Sequence, residues 1–556
     1  MRRLALFAAT ACAVCSAARA QYPAHPRTGP DINAADFAAR DRAIADDAFA
    51  GRGPGTPQGE AAADWIAEEL RRAGIGPGNH GSYFQTVPAV GIAMDPGKSA
   101  LAIATAKGVL TPRYADDVVY WTPHYDTRDV AVRASQLVFA GYGVVAPEYK
   151  WNDYAGIDVR GKTVVVLVND PGNEDAHPDP AFFKGHAMTY YGRWTYKFEE
   201  AARQGAAAVL IVHETIPAAY GWEVVRNSNS GTRLWLDNQD GNARQVAIEG
   251  WLTRPAAEDL FHRAGMEYAA MKKAANTPGF HAVDMPGEVL SANTHSTLKF
   301  SSTRNVIGEL KGRVAPDEVV LFTAHWDHLG TKPDLPGPDK IYNGAVDNGT
   351  GVASLLEIAG AFGHAKPVPR RSVAFAFWTL EEQGLIGSAY FAAHPVWPLR
   401  DIIAGVNIDA LAPLGLAHDM VVIGSGASEL EDLLAARLRH DGRVISPDPK
   451  PEKGSFYRSD HISLAKVGVP MLFVDGGFDL VKGGKAAGMA ARDDYRVHHY
   501  HQPSDEFNPN WDFAGPVADL KVVYDLGQTL ANGTMRPNWY AGNEFRGVRD
   551  RSVTAK

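Results

Sequence analysis

The sequence predicts an α/β protein: a mixed sheet sandwiched by helices, interrupted by an inserted β-rich domain. Three observations carry this expectation. From about residue 300 onward, short apolar runs alternate with amphipathic stretches of helical length, as in strands and helices packed in layers. Between 126 and 288 the texture shifts to β-branched and aromatic runs. A chain of 556 residues also exceeds what a single core organises.

Taken in order, residues 34–49 and 57–74 read as helices, the second stopping at Gly74. The glycine- and proline-rich residues 51–57 between them read as a loop. In the middle segment, 136–145 alternates, 163–168 is a continuous β-branched run, 197–205 is helical and 206–212 is a buried strand. Further on, 319–324, 373–378, 402–408 and 469–474 read as strands. Residues 351–362, 429–439 and 513–530 read as helices. Val352, Leu355, Leu356, Ala359 and Phe362 lie on one stripe of the first of these. The division that follows is 1–20 as a leader, 21–125 as the first part of the main domain and 126–288 as the insert. Residues 289–535 then complete the main domain, and 536–556 form a C-terminal tail.

Hydrophobic residues make up 45% and charged residues 21%, the range of soluble globular proteins. A net charge of −9 leaves no electrostatic footprint for nucleic acid. Arg2-Arg3, an apolar alanine-rich run and Ala18-Arg19-Ala20 form the pattern of a secretory signal peptide, so export to periplasm or medium is expected. The alternative, a membrane anchor, needs about 20 apolar residues, and the run is shorter. Neither Cys12 nor Cys15 follows a lipoprotein motif, and a twin-arginine pattern is thin. Both cysteines lie within the leader, so the mature chain would carry no thiol. Any metal must then be held by histidines and carboxylates.

The chemistry lies at the strand ends. The 319–324 run leads into His325-Trp326-Asp327, the 373–378 run into Glu381-Glu382, and the 402–408 run into Asp409. Open α/β sheets bind ligands beyond the carboxyl ends of their strands, so these clusters converge in space. A buried group of carboxylates repels itself unless a cation neutralises it, which makes a metal the economical explanation. Each cluster alone has an ordinary reading. His-x-Asp can be a structural pair, Glu381-Glu382 a solvated loop, Asp347-Asn348-Gly349 a turn or helix cap, and His501 a core histidine.

Five motifs resemble those of the co-catalytic zinc exopeptidases, in the family's order. They are His325-Trp326-Asp327-His328, Ala345–Gly351 around Asp347, Glu381–Ser388, Asn407-Ile408-Asp409 and Tyr500-His501-Gln502-Pro503-Ser504-Asp505. The family includes secreted bacterial aminopeptidases and a glutamate carboxypeptidase branch. The resemblance extends to 51–59 and to Phe456-Tyr457-Arg458-Ser459-Asp460-His461, and the insert resembles a protease-associated (PA) domain.

The resemblance implies a zinc exopeptidase-like fold, peptide substrates and two zinc ions. Asp347 would bridge the ions, with His325 and Asp409 completing one site and Glu382 and His501 the other. Asp327 would orient His325, Glu381 would be the general base, and Tyr500 would stabilise the reaction intermediate. Asn348 stands where some relatives carry a second aspartate. An aminopeptidase is the leading reading. The rivals are a carboxypeptidase or dipeptidase with Arg458 as carboxylate anchor, a noncatalytic receptor-like protein, and a one-zinc glutaminyl cyclase. The complete ligand set argues against the last two. The insert would either shape the site mouth or serve as a packing module, with Tyr190, Tyr191, Trp194 and Trp222 as candidate contact residues.

Overall fold

In the computed structural model the described residues are 22–554, without 175, 176, 334 and 336. The leader and both cysteines therefore lie outside the described residues. Helix α1 (Ala34–Ile44) is capped by the Asn33 side chain, and α2 (Pro57–Arg72) by Thr56 with proline in its first turn. The helix expected to run to 49 breaks after Ile44, and a 3-10 turn spans Asp47–Arg52. Ala50, Gly51 and Arg52 all take positive φ there. At Gly51 a Cβ would meet the carbonyl oxygens of Gly330 and Tyr342 at 2.4 and 2.6 Å, so only glycine fits.

Two sheets follow, joined by one very long strand. The insert comprises β2 (Ala100–Thr105), β3 (Val118–Trp121), β4 (Asp129–Phe139), β5 (Thr163–Leu167), β6 (Ala208–His213) and β8 (Ile248–Thr253). It also holds helix α3 (Trp194–Arg203). The strand order is β3-β8-β6-β5-β4, then the start of β9 (Val283–Leu310), then β2. β5 and β6 are buried along their whole length, matching their unbroken apolar runs. Residues 100–121, assigned from sequence to the main domain, thus pair with the insert, while β7 (Thr232–Leu236), from within 126–288, pairs with β1 (Phe84–Met94) of the main sheet. Pairing partners far along the chain decide these memberships, and local pattern carries no trace of them.

The main sheet runs β7-β1-β9, then β11 (Arg371–Trp378), β10 (Ala315–His325), β12 (Ile402–Ile408), β14 (Met471–Gly476) and β13 (Asp419–Ile423). The four strands β11-β10-β12-β14 are parallel. The chain moves outward from β10 first to β11 and then to β12 on its other side, which opens a crevice at their carboxyl ends. One face packs on α1, α2, α5 (Thr350–His364) and α8 (Ala514–Asn532) through a large apolar cluster. The other packs on helices Ile386–Ala393 and His461–Lys466. Residues 536–554 are no free tail: Trp539 is fully buried in that second cluster, and Arg549 donates to the carbonyls of Leu399 and Ile402. Among the described residues no helix is long and apolar enough to cross a membrane.

Candidate metal and active site

The parallel strands deliver the polar clusters to one point. His325 is the last residue of β10 and Asp409 follows the last of β12. His325 Nε2 lies 3.3 Å from Oδ1 of Asp347 and 3.3 Å from Oδ1 of Asp409. The other oxygen of Asp347, Oδ2, lies 3.1 Å from His501 Nε2, which is 3.0 Å from Oε2 of Glu382. One carboxylate therefore presents an oxygen to each histidine, with a second carboxylate beside each.

The electrostatics follow from this crowding. Burial pushes the Asp347 carboxyl up, but the close approach of the His325 and His501 imidazoles prevails and holds it well below the ordinary range. Burial likewise opposes ionisation of Glu382, and the His501 charge overcomes it, bringing the pKa to about 2. His501 is pushed up to about 10, because Glu382 and Asp347 outweigh its own burial. His325 is raised well above its usual value against its burial, chiefly by Glu381 and Asp409. The carboxylates thus favour positive charge at this point, whether a proton on each imidazole or a metal cation in its place.

The residues present fit a divalent cation. His325, Asp347 and Asp409 bring ligand atoms within 4.8 Å of one another, as do His328, Asp347 and Glu382, and His325, Glu381 and Glu382. His501 Nε2 is buried without a hydrogen-bond partner although it lies between two carboxylates. Imidazole and carboxylate donors without thiolate suit zinc.

Glu381 sits next to Glu382 but makes none of these close contacts with Asp347. Burial raises its pKa well above the usual carboxylate value, and Asp409, Glu382 and Asp460 reinforce the rise against the pull of His325. Tyr500 stacks on His501, ring centroids 3.9 Å apart. Its burial and the negative charge of Asp347 hold its hydroxyl far above the ordinary phenol value, so it stays a neutral donor.

Asp327 departs in detail from its expected role. His325 Nδ1 donates to the Asp327 main-chain carbonyl at 3.1 Å, whereas the carboxylate is 3.9 Å away. A carbonyl only accepts, so this bond places the proton on Nδ1 and leaves Nε2 free to face the cluster. The Asp327 carboxylate instead accepts the Glu381 backbone N–H at 3.1 Å, fixing the loop that carries Glu381 and Glu382.

Several residues of the site had no role assigned from sequence. His328 Nδ1 lies 2.5 Å from Oε1 of Glu382, and its Nε2 is buried and unpartnered. Asp505 accepts the backbone N–H groups of Val346 and Asp347 at 3.0 and 3.1 Å, and the Tyr495 hydroxyl at 3.0 Å. Asn348 accepts from the N–H groups of Gly351 and Ala410 and donates to Ile408, tying the Asp347 loop to the end of β12.

Arg52 is the most consequential of these residues. It is fully buried, and every guanidinium N–H points at a main-chain carbonyl: Nε at Trp326 (2.8 Å), Nη1 at Ile44 (3.1 Å) and Asn343, and Nη2 at Gly344 (2.9 Å) and Asp347 (3.4 Å). Its charge lies among Asp347, Asp505, Asp41 and Asp327. The motif letters at 325–328 and 500–505 contained His328 and Asp505. Arg52 gave no local signal, because an arginine in a glycine-rich loop reads as solvent-exposed.

Residues 305–524 match the family model described as Peptidase family M28. The chain is 34% identical over 128 residues to mouse aminopeptidase NAALADL1, covering 22% of this chain and 16% of that protein. It is 30% identical over 268 residues to the probable lipoprotein aminopeptidase LpqL of Mycobacterium tuberculosis, covering 45% and 50%. The chain thus spans half or less of the length of these curated relatives. An aminopeptidase structure from Aneurinibacillus sp. strain AM-1 aligns with 91% of this chain and 95% of its own, at a TM-score of 0.50 and 19% identity, a likeness of fold.

Proposed function

We propose, from the premise that residues 305–524 are a peptidase M28 domain, that this metallopeptidase holds two zinc ions and removes N-terminal residues from peptides. The observation that carries the reading is the Asp347 carboxylate, with Oδ1 toward His325 and Oδ2 toward His501. In this reading His325 and Asp409 would hold one ion, Glu382 and His501 the other, and Asp347 would contribute to both. Bound zinc would supply Lewis acidity and lower the pKa of water at the site. Glu381, kept basic by its burial and by neighbouring carboxylates, takes a proton from the attacking water and passes it to the leaving amine. The Tyr500 hydroxyl donates to the developing oxyanion. Asp327, Asp505 and Arg52 keep the three loops in register for these transfers. The reading extends to export by the leader and to a PA-like insert whose sheet also takes in residues 100–121.

One observation favours a second reading. Arg458 is exposed, and its positive charge acts on Tyr500, so a cation stands near the site where a carboxypeptidase would anchor its substrate. Aminoacyl anilides, N-blocked peptides and C-terminally amidated peptides, assayed before and after chelation, decide between the two. Hydrolysis of blocked peptides but not of free-amine substrates would overturn the aminopeptidase reading. Metal analysis of Asp347→Ala should show both ions depleted; two ions still bound would remove the bridging role.

A further inference from the structure

A cavity of about 580 Å³ lies outside the metal cluster, between the insert and the peptidase loop that follows Glu382. Its size is that of a small-molecule or peptide site, and it sits where two structural units meet. Trp194 and Phe198 of α3, Arg233 and Trp235 of β7 and Glu249 of β8 form one wall. Gln383 and Gly384, which directly follow the Glu381–Glu382 pair, also line the cavity, so it borders the loop that carries those carboxylates.

The charge balance inside the cavity is uneven. The Arg233 guanidinium stacks 4.1 Å over the Trp121 ring and 5.4 Å from that of Trp235. One terminal nitrogen donates to the Asn229 side chain, and Nε is buried without a partner. Among the described residues no carboxylate comes within ion-pair distance of Arg233, whereas Arg203 pairs with Glu200 and Arg244 with Asp240. Glu249 acts on Arg233 by charge but lies beyond ion-pair distance; its carboxylate accepts the Trp121 indole N–H at 2.8 Å, and burial pushes its pKa to about 7. A largely desolvated cation without a direct ion pair favours a ligand carboxylate that can make one. The surrounding indole and phenyl rings favour an apolar group beside that charge.

We propose that this cavity binds a carboxylate of the peptide substrate, from an acidic side chain or a free C-terminus, through Arg233, with an apolar side chain against Trp194 and Trp235. The inference rests on the peptidase reading for the identity of the ligand, but its test needs no turnover.

Binding of N-acetyl-Gly-Phe, its C-terminal amide and N-acetyl-Glu-Phe amide to the full-length zinc-loaded protein can be followed by tryptophan fluorescence and calorimetry. The free acid should bind about 10-fold tighter than its amide, the size of one charge-assisted contact. If the glutamyl amide matches the free acid, an acidic side chain is a competent source; if only the free acid gains, the C-terminus is the source. Arg233→Met should erase the acid–amide difference and Arg233→Lys should restore part of it, with circular dichroism and melting temperature confirming the fold. Equal binding of acid and amide by the native protein overturns the proposal even if no variant folds. So does a difference that survives in folded Arg233→Met. Failure of the peptidase reading would appear instead as loss of hydrolysis across the whole substrate panel, so the two failures are distinguishable.

Discussion

Replacing Arg52 by methionine removes five N–H donors from a fully buried position and leaves the carbonyls of Trp326, Ile44, Asn343, Gly344 and Asp347 without them. A hydrogen bond from a charged donor contributes about 1.5–3 kcal/mol. The five are not additive, since loosened loops admit water. Breaking one side of a buried charged network costs about 3–5 kcal/mol, a large share of the 5–15 kcal/mol that holds a domain together. The same change removes the positive charge among Asp347, Asp505, Asp41 and Asp327, so those carboxylates repel more strongly. Three of the five carbonyls, at Asn343, Gly344 and Asp347, belong to the loop that presents Asp347, and a fourth follows His325 directly. The loss should therefore lower zinc affinity by about 10–100-fold, the usual effect of removing a residue that supports a ligand. Chelator competition measures the affinity, and denaturant unfolding with and without zinc measures the stability. Arg52→Lys keeps the charge but offers three donors on a flexible stem, and should fall between the two. A folded Arg52→Met protein with zinc affinity within about twofold of native, and stability within about 0.5 kcal/mol, would refute the reasoning.

Glu381→Gln should retain metal by elemental analysis and lose about 10²–10⁴-fold in kcat, the span of general acid–base catalysis; near-native turnover would remove Glu381 as the base. Tyr500→Phe should lower kcat by about 10²–10³-fold with little change in KM, as for a donor to a developing oxyanion; a change confined to KM would point to substrate binding instead. Glu249 has a folded pKa of about 7 against its ordinary 4.5, so its contribution to stability is full below about pH 4.5 and is lost as pH rises through 7. Glu249→Gln should flatten the fall of unfolding free energy between those limits by about 2–3 kcal/mol. Parallel curves for native and variant from pH 4.5 to 8 would show that Glu249 does not titrate in this window.

Much of the architecture was legible in the chain because it is written locally. Mostly apolar runs such as Val319–Ala324 and 402–408 have one stable use, as strands buried on both faces, and the polar residue after each marks its carboxyl end. His325, Glu381, Glu382 and Asp409 could thus be placed at one edge of a sheet, and family motifs added Asp347 and His501. Local pattern could not say that the two oxygens of Asp347 face different histidines. Nor could it show that His325 is oriented by the Asp327 carbonyl rather than its carboxylate, because such facts depend on angles between loops that meet only after the sheet has formed.

The remaining features belong to tertiary structure alone. Arg52 acts through carbonyls almost 300 positions away, apart from that of Ile44, and its burial exists only once α1, β10 and the 343–347 loop have closed around it. The Arg233 cavity arises because β7 leaves the insert to pair with β1, which brings a guanidinium without a direct ion pair into the cavity that the loop after Glu382 also lines. By itself, the amino-acid sequence determined which residues could carry the chemistry, since donor type and strand-end position are properties of short segments. The tertiary structure decided which of them meet, and what supports them, because hydrogen bonds and burial act over a few ångströms in space whatever the distance along the chain.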